Sequence, residues 1–188
     1  VSIRQTIPVN TLIFERLGAT LELAIVSVLI AISLGIPIGI FAATRRGSLW
    51  DYLSMIVSLI GVSMPGFWLG LMLLSYVALK VDWLPMFGRD ASVLNGLWVL
   101  VTQFRADVLL NALRYVLLPA TALGVSMMAI IARLTRSSLL EVLGKDYIRT
   151  AQAKGLKHRV VVIKHGLRNA LLPVITIVGI QFGSMLGG

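Results

Sequence analysis

Few residues in this 188-residue chain have the types and spacing that chemistry demands. His158 and His165 are its two histidines. They stand seven apart in a basic stretch, without an acid or cysteine to complete a metal site, and read as solvated surface histidines. There is no G-x-x-x-x-G-K-S/T phosphate loop, so the chain has no ATP site of that kind. There is no H-E-x-x-H zinc motif and no pair of carboxylates inside a hydrophobic segment. Glu22, at the outer edge of the first such segment, comes nearest to an intramembrane acid. Ionisable groups within a bilayer usually mark proton or ion pathways. Their absence from the segment centres argues against a proton-coupled transporter and against an intramembrane protease. With no cysteine, disulfides and thiolate chemistry are excluded and the redox compartment stays open.

The segment that stands out is built to be presented rather than to react. It is Asp146-Tyr147-Ile148-Arg149-Thr150-Ala151-Gln152-Ala153-Lys154-Gly155, inside the basic stretch from Arg133 to Arg168. Asp146 is placed to cap a helix whose first turn holds Tyr147, Ile148 and Arg149. Gly155 is placed to end it in a left-handed conformation. Tyr147, Ala151 and Lys154 share one face, and the small Ala151 and Ala153 keep the helix thin. A thin, capped, basic helix fits a groove on a partner or lies on anionic lipid. Basic residues alone do not decide between the two.

The elements that position this segment are hydrophobic. The composition is 57% hydrophobic and only 13% charged, with mean hydropathy +0.91; soluble domains carry roughly 25% charged residues. A membrane span needs about 20 apolar residues, so about four spans fill the chain. They are expected at 21–44, 52–79, 115–136 and 169–188. Pro65-Gly66 should break or kink the second. Pro119 lies near the start of the third, and Pro173 is expected in the first turn of the fourth, where proline is tolerated. The fold class is therefore all-α, a polytopic transmembrane helix bundle.

The net charge of +9 comes from bases clustered in loops between hydrophobic segments, which argues against nucleic-acid binding. It fits the positive-inside rule. Arg45 and Arg46 follow the first span. Nine bases (Arg133, Arg136, Lys145, Arg149, Lys154, Lys157, Arg159, Lys164 and Arg168) separate the third from the fourth, opposed by Glu141 and Asp146. The 80–114 stretch holds four bases, balanced by Asp82, Asp90 and Asp107. Loops 45–51 and 133–168 are thus expected in the cytoplasm, and residues 1–19 and 80–114 outside. Trp83, Trp98 and Phe104 suit an interfacial belt. The apolar stretch from Val93 to Phe104 is too short to span and should lie on the outer surface or on the bundle. No cleavable signal peptide is apparent, and both ends look like cuts in a longer protein.

Small residues recur at helix-packing spacing: Gly35 and Gly39, Gly66 and Gly70, and the stripe Gly179, Gly183 and Gly187. Among polar side chains on the spans, Ser63, Thr121, Ser126, Thr176, Gln181 and Ser184 are best read as bonding a neighbouring helix or their own backbone. Gln181, then Ser126 and Ser63, are the candidates to line a pore.

The 146–156 segment, ending on Leu156, resembles the cytoplasmic coupling motif of ABC-importer permeases, closest to the dipeptide/oligopeptide/nickel branch. The resemblance extends to Ala132-Arg133-Leu134-Thr135-Arg136-Ser137-Ser138-Leu139-Leu140-Glu141-Val142-Leu143 and to Lys164-His165-Gly166-Leu167-Arg168-Asn169-Ala170-Leu171-Leu172-Pro173. Thr20-Leu21-Glu22-Leu23, Met64-Pro65-Gly66-Phe67-Trp68-Leu69-Gly70 and Trp83-Leu84-Pro85 also match. They stand in the family's order and cover most of residues 16–188.

The resemblance implies a type I importer permease core over residues 20–188, with residues 1–19 an outward-facing segment and 137–168 a cytoplasmic coupling loop. It implies a multi-pass subunit of a bacterial or archaeal inner membrane, among membrane lipids. Its partners would be a second permease subunit (identical or different), two ATPase subunits that bind ATP and magnesium, and a periplasmic or lipid-anchored binding protein. The chain itself would hold no cofactor or metal and catalyse nothing. Substrates implied are dipeptides, oligopeptides, a glutathione-like peptide or a nickel chelate, moved by alternating access. Asp146, Tyr147, Arg149, Thr150, Ala151, Ala153, Lys154 and Gly155 would couple to the ATPase. Where the general importer motif has Glu-Ala-Ala this chain has Arg149-Thr150-Ala151, so no carboxylate role is assigned there. The family's first and last spans are absent from the sequence, which should leave the pore half incomplete. Two readings outside this family are an ion-gradient carrier or passive channel, and a membrane anchor or assembly protein.

Overall fold

The structure is a computed structural model that describes residues 9–86, 88–89 and 92–187, with side chains from Arg16 onward. Residues 1–8 of the expected outward segment, and Asp90 and Gly188, lie outside the described residues. The elements are α1 (Val9–Thr44), α2 (Leu49–Ser63), α3 (Gly66–Tyr76), a 3₁₀ turn (Ala78–Lys80), α4 (Val93–Gln103), α5 (Asp107–Leu143), α6 (Asp146–Ala153), α7 (His158–Val160), a π-helical segment (Val161–Leu167) and α8 (Arg168–Gly187). The all-α, polytopic class holds. Among the described residues, three helices are long and apolar enough to cross a membrane, or up to four if the broken pair α2 and α3 is one span. The break falls at Met64-Pro65, where proline lacks the N–H that would continue the ladder.

The helices outrun their hydrophobic segments. α5 begins at Asp107 and ends at Leu143, beyond the charge-free stretch at both ends. Lack of charge marks the bilayer, whereas a helix ends where its backbone is interrupted. Ser137, Ser138 and Glu141 tolerate helix, and the next breaker is Gly144. Pro119 is accordingly inside α5. Pro173 is also interior, a correction to its expected first-turn place: helical backbone already begins at His158.

The chain forms two compact units, each contributed to by α1, α5 and α8. In the unit holding residues 28–65 and 124–183, α1 and α2 pack on α5 through small residues. A Cβ on Gly35 would lie 2.8 Å from the Met128 carbonyl oxygen, and one on Gly39 would lie 2.6 Å from that of Ala132. On Gly61 it would meet the Ala129 methyl at 3.1 Å. Without side chains in the way, the backbones approach closely and gain dispersion contact, which drives helix association where lipid offers no hydrophobic contrast. Asp51, at the start of α2, is buried and bidentate to Arg136 of α5 at 2.5 and 2.7 Å.

In the other unit, Ala78, Leu84 and Leu118 form a core with Leu73, Leu74, Val77 and Val81 around it. α4 lies on α5: a Cβ on Gly96 would come 2.6 Å from Leu109 Cα. Its opposite side leaves Leu94, Trp98 and Val101 exposed. Glu22 is buried, accepting from Arg89 at 2.9 Å and from the Ser92 hydroxyl, which also caps α4. A cavity of about 270 Å³ is walled by Leu74, Pro85, Met86, Tyr115 and Leu118 and has little polar lining.

Candidate functional site

The basic segment between α5 and α8 folds back as a docked short helix. α5 stops at Gly144, whose amide bonds the Glu141 carbonyl at 3.2 Å, and Lys145 is the N-cap of α6. Asp146 is therefore the first helical residue, not the cap expected of it. Its carboxylate still faces the positive end of the helix dipole. The far end follows expectation. Gly155 has φ +75°, its amide bonds the Gln152 carbonyl at 2.9 Å, and the Leu156 amide bonds that of Ala151 at 3.4 Å. These two bonds make a Schellman motif, which satisfies carbonyls the helix leaves open.

An added Cβ at Gly155 meets nothing within 4 Å among the described residues, so only backbone strain opposes it. Gly155→Ala is expected to cost about 1 kcal/mol, and Gly155→Asn less, because Asn tolerates the left-handed region. Hydrogen exchange of the 153–157 amides in the full-length protein checks this. Equal protection in all three proteins would refute it.

Ile148 and Ala151 are buried against Val161, with Leu143 beside them. Ala151, expected on the face presented to a partner, is packed against the chain's own helices, as is Ile148, which lies off the expected face. An i, i+3 apolar pair in a polar, net-neutral octapeptide is the available signal. Asp146, Arg149, Thr150, Gln152, Ala153 and Lys154 are exposed, and so form the surface open to a partner. Asp146 and Arg149 face each other at 3.5 Å, both solvent-exposed. Such a pair adds little stability and leaves both groups free to exchange partners.

Tyr147 lies between these two surfaces. Its hydroxyl accepts from Asn169 Nδ2 at 2.8 Å and donates to the His165 carbonyl at 3.4 Å. Nothing in the sequence marks Asn169 or His165 for such a role. His158 is exposed, and no cluster of three or more metal-ligating side chains occurs among the described residues.

The expected packing glycines divide. Gly35 and Gly39 are tightly enclosed, and Gly70 makes ordinary contact with Ala122 at 3.9 Å. Gly66, Gly179, Gly183 and Gly187 have nothing within 4 Å of an added Cβ among the described residues. Of the pore-lining candidates, Ser63 turns its hydroxyl to the Leu59 carbonyl at 2.9 Å, while Ser126 and Gln181 are half-buried. Thr121 and Thr176 likewise bond their own helices.

The family model for the binding-protein-dependent transport system inner membrane component matches residues 35–188. The chain is 47% identical, over its whole length, to the dipeptide transport system permease protein DppB of Alkalihalophilus pseudofirmus. It is 42% identical over 99% of its length to the oligopeptide transport system permease protein AppB of Bacillus subtilis. It is 40% identical over 96% to the glutathione transport system permease protein GsiC of Escherichia coli. The chain spans 58%, 55% and 52% of those proteins, respectively.

Proposed function

We propose that this chain, which belongs to the family of binding-protein-dependent transport system inner membrane components, is the core of an ATP-driven importer permease for peptides. The supporting names are those of relatives that transport dipeptides, oligopeptides and glutathione. Nothing on the spans discriminates among such solutes, and a separate binding protein would choose between them. A second permease subunit would complete the pore, and two ATPase subunits would dock on the cytoplasmic side against loops 45–51 and 133–168. Those subunits would hold the ATP and magnesium. The membrane is then a bacterial or archaeal inner membrane, entered with the basic loops inside.

The observation that carries the coupling proposal is the docking of α6. Its inner face, Ile148 and Ala151, is fixed to the chain, while Asp146, Arg149, Thr150, Ala153 and Lys154 face outward. A helix held on one side and open on the other is suited to sit in a partner's cleft and pass on its closure. The open stripe Gly179, Gly183 and Gly187 is offered to a helix of the rest of the protein or of the second subunit.

Single cysteines at the exposed Thr150 and Lys154, in a chain with no other cysteine, provide the test. In the full-length complex each should cross-link to cysteines in the ATPase cleft, with a yield that changes on adding ATP. Reactive thiols with no cross-link, or uptake that persists without any ATPase subunit, would overturn the reading.

A further inference from the structure

We propose that the Tyr147 hydroxyl is a latch that fixes the coupling helix to the start of α8, and that it sets how much solute moves per ATP. The inference rests on the importer reading above. The contact between α6 and the rest of its unit has two parts. Ile148 and Ala151 against Val161 is apolar, and apolar contact is non-directional, so it resists separation better than sliding. The hydrogen bonds of Tyr147 are directional and define a register. The Asn169 bond, at 2.8 Å, is the stronger; the His165 bond, at 3.4 Å, is long.

The backbone that the latch grips is a joint. Val161–Leu167 is π-helical, its hydrogen bonds spanning five residues where the α-helix after it spans four. Such turns are rare and recur at functional sites. Four residues beyond Asn169 comes Pro173, inside α8, which has no N–H to give the Asn169 carbonyl. The regular hydrogen-bond ladder is thus broken on both sides of Asn169. Gly166 adds to this: it is buried, its notional Cβ lying 3.1 Å from Leu139 and 3.2 Å from Leu143, so the joint is pressed against α5. A push on α6 would be lost in this joint unless something spans it. Tyr147 bridges its first break, the passage from the π segment into α8, by holding His165 in the π segment and Asn169 in the first turn of α8. Displacement of α6 then reaches the first turn of α8 as a single movement.

Tyr147→Phe removes the hydroxyl and keeps a ring that is 43% exposed, so the local packing is retained. Asn169→Leu removes the other partner. Both are measured in the full-length complex reconstituted in liposomes, as peptide taken up per ATP hydrolysed. Misfolding lowers uptake and hydrolysis together and leaves this ratio unchanged, whereas a lost latch lowers the ratio. Each variant should reduce it at least about threefold, and the double variant should do no more than either alone, as expected of two residues in one interaction. A wild-type ratio in Tyr147→Phe overturns the latch and leaves the importer standing. Multiplied losses in the double variant also overturn it. Absence of ATP-dependent uptake by the wild-type complex would overturn the importer reading, and the latch with it.

Discussion

Gly39→Leu is expected to prevent stable folding of the full-length protein, while Gly179→Leu, the same chemical change, leaves the folded monomer nearly unaffected. An added Cβ at Gly39 would stand 2.6 Å from the Ala132 carbonyl oxygen and 2.6 Å from Thr135 Cβ. Neither obstacle is the free end of a side chain. One is helix backbone, and the other is the branch point of a fully buried threonine. No rotamer change relieves the clash, so α1 and α5 must separate, and every small-residue contact along them weakens. Overpacking typically costs about 1–3 kcal/mol, and a collision with backbone belongs at or above the top of that range. Gly179 has no described neighbour within 4 Å. Thermal unfolding in detergent separates the cases: Gly39→Leu should be lost or melt far below wild type, Gly179→Leu should not. Equal melting of the two variants would sink the account. If Gly179→Leu folds but transports poorly, its stripe meets a partner helix.

That contrast shows how far the sequence could be read. Gly35 and Gly39 and the Gly179 stripe have the same four-residue spacing, yet the first pair is enclosed and the stripe is open. Spacing states that a close approach is available; which helix makes it depends on tertiary order. The hydrophobic segments were legible because transfer to a bilayer is a sum over residues. Helix ends were not, because α5 continues through Ser137 and Glu141 until Gly144 removes the helical bias. In α6 the C-terminal signal was clear, since a left-handed position selects glycine. The start was less so, since Lys145 takes the N-cap position without making a side-chain cap bond. The polar contacts that tie the helices together pair residues far apart in sequence. Tyr147 with Asn169, Glu22 with Arg89 and Asp51 with Arg136 each join residues whose separation no periodicity encodes.

The Asp51–Arg136 pair carries the other large expected effect. Asp51 is only 2% exposed and serves three partners. Its oxygens accept two bonds from Arg136 and one, at 3.0 Å, from the amide of Gly47, in the turn between α1 and α2. Its own amide is capped by the Ser48 hydroxyl, and as an acid in the first turn of α2 it meets the positive end of that helix. Removing the carboxylate leaves a largely buried guanidinium without its partner. Breaking a buried pair from one side costs about 3–5 kcal/mol. Arg136 keeps 21% of its side-chain surface exposed, so Asp51→Ala should sit at the lower end, about 3 kcal/mol. Asp51→Asn should cost less, because the amide still accepts from Gly47. Asp51→Ala with Arg136→Met removes both charges, and a pair replaced by apolar groups is often near neutral. The double variant should therefore be more stable than Asp51→Ala alone, with a coupling energy of at least about 1 kcal/mol in the cycle. Denaturation of the four proteins in detergent reads it directly. Strict additivity would mean that α2 is held to α5 by the Gly61–Ala129 contact and its apolar neighbours, with the ion pair contributing nothing of its own.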